Sequence, residues 1–275
     1  MRTKNFVKYI ILYVILGIGA VFMIFPFFWM ITGGFKTAQE IAAFPPLLFP
    51  THFNLDNFKF ALETAPFAKY FVNSVVVTVS SVSLSTLTTI LAAFAFSRLE
   101  FKGRDALFTL LLALMMVPFE MIVITNYRTI INMGLLNTRL ALIIPFTSSI
   151  FYTYILRNFF VSIPESLYRS AKIDGCSNWQ YLWKVMVPMA RPSLVTIILL
   201  NSIAAWNSFF WPMLVTNTTA ARTLPFGLYA FMTEGGARNE YMMAAATIVV
   251  LPMMILFLFA RKYIVTGVSK GGLKG

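Results

Sequence analysis

Six long apolar runs dictate what this chain can become. The first, Tyr9–Ile31, extends for 23 residues without a charge. At about 1.5 Å of rise per residue, a helix of that length crosses the roughly 30 Å hydrocarbon of a bilayer. Five more runs follow: Tyr70–Phe96, Ala106–Ile124, Leu140–Phe160, Ser193–Val215 and Tyr241–Ala260. Lipid offers the backbone no hydrogen bonds, so runs of this kind must become helices. Only 12% of the 275 residues are charged and 59% are hydrophobic, whereas soluble domains carry about 25% charged residues. The expectation is an all-α membrane protein of six transmembrane helices. The first run exceeds the roughly 7–15 apolar residues of a secretory signal, so it is read as a retained helix, kinked at Pro26.

The charges between the runs are asymmetric. Six spans place both ends of the chain on one side. With the N-terminus inside, the inner segments are 1–8, the turn 97–105, the stretch 157–191 and the tail from Arg261; they hold fifteen Lys and Arg residues. Lys36, Lys59, Lys69, Arg128, Arg139, Arg222 and Arg238 are the seven left outside. The positive-inside rule then puts both termini of this multi-pass protein in the cytoplasm. It also accounts for the net charge of +12 without any nucleic-acid partner; the partner of the spans is membrane lipid.

Enzymatic chemistry is hard to build from these residues. Cys176 and His52 are single, too few for an internal disulfide, a metal site or a triad. No G-x-x-x-x-G-K-[ST] is present to cradle the phosphates of a nucleotide. The pairs Gly33-Gly34, Gly235-Gly236 and Gly271-Gly272 read as turns in loops. The chain is expected to carry no catalytic residue, no metal and no cofactor of its own.

The connections have distinct characters. Residues 32–69 contain Pro45, Pro46, Pro50 and Pro66, a short helix over Asp56–Leu62, and the aromatics Phe44, Phe49, Phe53, Phe58 and Phe60. Those aromatics fit either the membrane interface or contact with an outside partner. The second run is crowded with hydroxyls, among them Ser74, Thr78, Ser81, Ser85 and Thr89. Small and hydroxylated residues mark helix–helix faces rather than lipid faces, so this helix belongs inside the bundle. The tail after Arg261 is glycine-rich and expected to hold no structure alone. The chain divides into an N-terminal helix with its connection (1–66), a transmembrane core (67–262) and a cytoplasmic tail (263–275).

One stretch breaks the apolar pattern on the cytoplasmic side: Ile163–Pro192, polar, charged and rich in turn residues. Pro164 suits the first position of a helix, and Glu165 the positive end of its dipole. Asp174-Gly175 closes that helix. Either Ser177 or Asn178 caps a second one, which carries Trp179, Tyr181, Leu182 and Trp183 towards Pro188. Two short helices around a glycine, with large aromatics, are an object for another protein to grip. An amphipathic helix lying on lipid is the competing reading.

Within that stretch, Arg169-Ser170-Ala171, Asp174-Gly175 and Val187-Pro188 resemble the E-A-A, D-G, hydrophobic-proline pattern of the membrane subunits of bacterial ABC importers. Arg169 and Ser170 stand where that family has Glu and Ala. Asn73-Ser74, Gly134–Thr138, Trp206-Asn207 and Trp211-Pro212 are similar to the carbohydrate branch, in particular to the second membrane subunit of maltose-type systems. The resemblance implies a type I importer fold with a coupling helix. It implies partnership with a second permease, two cytoplasmic ATPase domains that bind ATP and magnesium, and an extracytoplasmic solute-binding protein. It also implies that the loop fits a cleft on the ATPase and carries its motion, through Glu165, Tyr168, Arg169, Ala171, Asp174, Gly175 and Trp179. The close approach falls on Ala171 and Gly175.

For the solute path the candidates are Asn73, Glu120, Asn201, Trp206 and Asn207. Amides bond hydroxyls, and an indole face stacks on a sugar ring; hydrogen bonds within the bundle are the alternative role. Glu120 either snorkels to water or lines the path. An ion-driven carrier or channel, the alternative to a sugar importer, places ionisable groups within its spans, and these spans are nearly free of them.

Overall fold

The computed structural model describes the backbone of residues 2–233 and 238–271, with side chains over 8–231 and 238–258. Every regular element among the described residues is helical. In chain order these are α1 (Arg2–Gly34), α2 (Ala38–Ala42), α3 (Asp56–Thr64), α4 (Phe67–Arg98), α5 (Arg104–Leu114), α6 (Phe119–Asn132), α7 (Arg139–Ile143) and α8 (Ile150–Ser162). There follow α9 (Glu165–Ile173), α10 (Asn178–Tyr181), α11 (Val187–Met189), α12 (Arg191–Trp206), α13 (Phe210–Val215), α14 (Tyr229–Thr233) and α15 (Asn239–Gly271).

Three helices are long and apolar enough to cross a membrane unbroken: Lys8–Gly34, Phe67–Arg98 and Asn239–Leu258. Three bent pairs of helices bring the number to six if each pair is counted as one span. Arg104–Leu114 and Phe119–Asn132 meet at 99°, Arg139–Phe146 and Ile150–Ser162 at 42°, and Asn178–Met189 and Arg191–Trp206 at 79°. The chain is thus an all-α membrane protein of six candidate spans.

Several boundaries differ from the sequence reading. The run Ala106–Ile124 is not one helix. It stops after Leu114 and restarts behind Pro118, whose φ is −61° and ψ 143°, because a proline disfavours helical geometry in the residue before it. The run Ser193–Val215 breaks after Trp206 and resumes as α13. The helix α1 runs on through Pro26. The tail does not lack structure: α15 continues to Gly271, since extending an existing helix is far easier than nucleating one. Residues 272–275 and the Gly235-Gly236 pair lie outside the described residues.

The chain packs as two units. One comprises Met1–Phe67 with Gly227–Pro252. Gly33 and Gly34 end α1 rather than form a loop. A Cβ at Gly33 would sit 2.1 Å from Met243 Sδ, and one at Gly34 3.1 Å from the Ala244 backbone, so the pair permits a close approach of α1 and α15. Asn57, 4% exposed, donates from Nδ2 to the carbonyls of Gly34 (3.0 Å) and Lys36 (2.8 Å), satisfying groups the helix end leaves open. Lys36 is 1% exposed. Its ammonium donates to Leu47 O at 2.6 Å and lies 4.1 Å from the Trp29 ring. Burial holds its pKa below the usual lysine range, with Glu40 acting in the opposite direction. Glu40 closes a capping box with Thr37 and accepts from the Thr51 amide at 2.8 Å and from the Thr51 hydroxyl. These hydrogen bonds, the Thr51 hydroxyl's first, lower its pKa to about 2.

The second unit comprises Ala68–Phe226 with Met253–Gly275. The hydroxyl face expected of α4 is inside: Ser74, Thr78, Ser81, Ser85 and Thr89 are all buried. Near the start of α4, Asn73 is fully buried. Its Nδ2 donates to Ala220 O (3.0 Å) and Arg222 O (2.9 Å), and its Oδ1 accepts from Arg139 Nε at 2.9 Å. Ser74 Oγ accepts from the Leu224 amide at 2.7 Å. These two side chains tie the irregular stretch 216–224 to α4.

Replacing Asn73 by Leu keeps the volume and leaves the Ala220 and Arg222 carbonyls without their donor. The expected cost is about 2 kcal/mol, read as a fall of several degrees in the Tm of detergent-solubilised protein. The Glu40 network predicts a pH dependence. A depressed carboxylate stabilises the fold above its unfolded pKa of 4.5 and loses that contribution as pH falls towards about 2. Limited proteolysis across residues 37–51 should be constant from neutral pH down to the unfolded pKa and accelerate below it. Glu40→Gln should be cleaved faster at neutral pH and lose the acid-dependent step.

Candidate functional site

The stretch 163–192 folds as two limbs around a sharp reversal. Pro164 precedes α9, and Glu165 lies in its first turn. Glu165 Oε1 accepts from Arg169 Nη2 at 3.0 Å and from Nε at 3.2 Å, one helical turn apart and both largely exposed; such a pair is worth about 0.3–0.5 kcal/mol. Asp174 ends the helix with its side chain exposed, and Gly175 follows at φ +76°. The Cys176 amide donates to Ala171 O (2.8 Å) and the Gly175 amide to Lys172 O (3.1 Å), the two bonds of a Schellman closure.

Ser177, rather than Asn178, then caps α10. Its hydroxyl accepts from the Gln180 amide, and Gln180 Oε1 accepts from the Ser177 amide. Asn178 is used differently: its Oδ1 accepts from the Tyr168 hydroxyl at 2.8 Å, tying α9 to α10. Tyr168 also meets Tyr181 edge to face with centroids 5.0 Å apart.

The two limbs differ in burial. No residue of α9 is fully buried, and Ile173 and Trp179 are 86% and 60% exposed. A Cβ at Gly175 would meet nothing within 4 Å. Any close approach expected at this glycine is therefore to another molecule, and within the chain its role is the left-handed turn. Ala171 is half-buried and packs on the second limb's cluster. That limb enters the core. Tyr181, Leu182 and Met186 are at most 1% exposed and pack with Ile90 and Phe94 of α4, Leu156 and Phe160 of α8, and Leu194 and Ile197 of α12. A π-helical turn over Leu182–Met186 precedes Pro188, widening the helix where proline supplies no N–H. Through one packed limb, α9 is thus joined to α4, α8 and α12.

The solute-path candidates do not converge on one spot. Asn73 spends its amide on Ala220, Arg222 and Arg139. Glu120 is exposed in the first turn of α6, where the helix dipole favours an acid. Trp206, 7% exposed, meets Phe71 edge to face at 5.8 Å, and its indole N–H has no acceptor. Asn207 is exposed at the end of α12. Of the five, Asn201 lines a cavity of about 130 Å³, shared with Ser81, Ser208 and Thr223 among Val77, Phe146 and Trp211. Trp211 is fixed there by its indole N–H, 2.9 Å from Ala141 O. Asn201 Nδ2, Ser81 Oγ and Thr223 Oγ1 are buried and have no hydrogen-bond partner. The hydroxyl periodicity of α4 pointed towards Ser81. Thr223 lies outside any helix, and no local pattern marks it.

With this geometry in view, likeness to known proteins is informative. Residues 85–270 match the family described as "Binding-protein-dependent transport system inner membrane component". The chain is 31% identical over 269 residues to the arabinooligosaccharides transport system permease protein AraQ of Halalkalibacterium halodurans, covering 90% of this chain and 96% of that one. It is 32% identical over 269 residues to the diacetylchitobiose uptake system permease protein DasC of Streptomyces coelicolor, at 95% of both chains. The sulfoquinovosyl glycerol transport system permease protein SmoH of Agrobacterium fabrum is 32% identical over 254 residues, at 92% of this chain and 89% of that one. Among solved structures, a bacterial ABC transporter involved in the import of alginate has the same fold, with a TM-score of 0.81 and 24% identity over 94% of this chain and 97% of that one. The chain belongs to the inner-membrane component family of binding-protein-dependent transport systems, as a multi-pass permease.

Proposed function

We propose that this permease is one half of the membrane pathway of an ATP-driven importer of oligosaccharides. It pairs with a second permease, two cytoplasmic ATPase domains that bind ATP and magnesium, and an external solute-binding protein. The observation that carries this reading is the division of labour in the 163–192 loop: an exposed limb bearing Ile173 and Trp179, and a second limb buried among α4, α8 and α12. The exposed limb is what an ATPase cleft grips, and the buried limb takes the motion inward. Fifteen of the 22 basic residues fall on the side of that loop, which supports cytoplasmic termini. The carbohydrate class is supported by relatives named for arabinooligosaccharides, diacetylchitobiose and sulfoquinovosyl glycerol.

In this reading Glu165 and Arg169 brace α9, Tyr168 locks it to α10, and Ala171, Asp174 and Gly175 form the compact reversal that enters the cleft. Trp179 supplies apolar contact area. Asn201 is the strongest solute-path candidate, together with Ser81 and Thr223. Buried polar groups without partners cost about 1–3 kcal/mol each, and a hydroxylated solute would supply the missing bonds. Trp206 and Asn207 stand at the end of the same helix. Glu120 and Asn73 serve the fold rather than the solute.

The test is reconstitution of this chain with a second permease, an ATPase and a solute-binding protein of its source organism, using arabino-oligosaccharides and diacetylchitobiose as probes. Uptake should require ATP inside the vesicles' cytoplasmic compartment; uptake by this chain alone against a gradient would overturn the reading. Gly175→Arg should leave the protein in the membrane yet lower ATP-driven uptake at least about tenfold below that of Gly175→Ala, which bears the same left-handed backbone strain without a side chain long enough to block a partner cleft. Ser81→Ala deletes a hydroxyl that bonds nothing, so Tm should hold or rise, while the KM for saccharide should increase severalfold.

A further inference from the structure

The cytoplasmic ends of α4 and α8 carry a reciprocal pair of arginines that the coupling loop does not itself contain. Arg98, the last residue of α4, donates from Nη2 to Phe160 O at 2.8 Å and to Ile163 O at 2.5 Å. Those carbonyls close α8 and immediately precede Pro164, the root of α9. In return Arg157 of α8 donates from Nε to Phe96 O at 3.3 Å, one of the last carbonyls of α4. Its guanidinium also lies 4.4 Å from the Phe108 ring and 4.0 Å from Asp105, both on α5. Arg98 and Arg157 line one cleft with Glu165 and Tyr168 of α9.

Two facts make this more than surface charge. Helix C-termini leave their final carbonyls unpaired and carry a partial negative charge. Bringing two such ends together is unfavourable unless each is met by a donor, preferably a cation. Here each helix supplies the cation for the other. The link is therefore specific to α4 and α8, and it sits where α9 leaves the membrane core.

We propose that Arg98 and Arg157 form a clasp that transmits movement of the coupling loop to α4, the hydroxyl-lined helix of the cavity. The packed cluster around Tyr181 joins the loop to the last turns of α4 and α8, Phe94 and Phe160 among them; the clasp makes those two ends follow as one. Both arginines are positioning residues, acting through backbone carbonyls and touching neither solute nor nucleotide. The proposal rests on the importer reading above.

The experiment is the ratio of arabino-oligosaccharide or diacetylchitobiose taken up per ATP hydrolysed, measured with the full complex in proteoliposomes. Arg98→Gln and Arg157→Gln should each lower that ratio by about tenfold, the scale of one charge-assisted hydrogen bond. The double variant should be no worse than either single one, because both break the same clasp. Arg98→Lys, which keeps a cation at the carbonyls of α8, should restore most of the ratio. A purely structural role would lower uptake and hydrolysis in proportion and leave the ratio unchanged, and that result overturns the proposal. Additive losses in the double variant overturn it as well. Should Arg98→Gln fail to assemble, the ratio in Arg157→Gln decides by the same criteria. Absence of ATP-driven uptake in the unsubstituted complex overturns the importer reading itself; normal uptake there with unchanged ratios in the variants defeats the clasp alone.

Discussion

A bilayer gives no hydrogen bonds to a peptide group, and most of this architecture follows from that constraint. An unbroken helix meets it by itself, as α1, α4 and α15 do over their apolar lengths. The other spans are interrupted, and each interruption opens backbone groups that must be closed from elsewhere. Thr138 and Ser149 cap α7 and α8 with their hydroxyls. Asn73 reaches from α4 to the carbonyls of Ala220 and Arg222. Arg98 and Arg157 close the ends of α8 and α4. Charged and amide side chains that look like candidates for chemistry mostly serve this purpose.

The same constraint explains what stands out. Several buried polar atoms lack a partner, among them Thr89 Oγ1, Tyr181 Oη and Trp183 Nε1, and three of them, Ser81 Oγ, Thr223 Oγ1 and Asn201 Nδ2, are grouped. They border one cavity rather than scatter through the core.

The 163–192 loop obeys a different rule, since no residue of its first limb is buried. Its reversal at Gly175 is closed by two backbone bonds, which makes α9 and α10 one stiff piece. The coupling role proposed for the loop needs both stiffness at the reversal and burial of the second limb. A flexible loop would absorb a push, and an unburied one would transmit it to nothing.

The membrane setting, the all-helical fold and the loop's two helices around Asp174-Gly175 were all legible in the sequence. Each depends on local composition or on turn chemistry within a few residues. Pro118 also marked a break, though not that the two pieces would meet at 99°, because an angle is settled by what packs against both arms. The roles of individual polar residues were decided only in three dimensions. Asn73 was a reasonable solute ligand until the carbonyls of Ala220 and Arg222, almost 150 positions away, used its amide. Arg98 and Arg157 counted merely as inner charges until their partners appeared on each other's helices. A hydrogen-bonding group is defined by what lies within about 3 Å of it, and for residues far apart along the chain only the tertiary fold sets that distance.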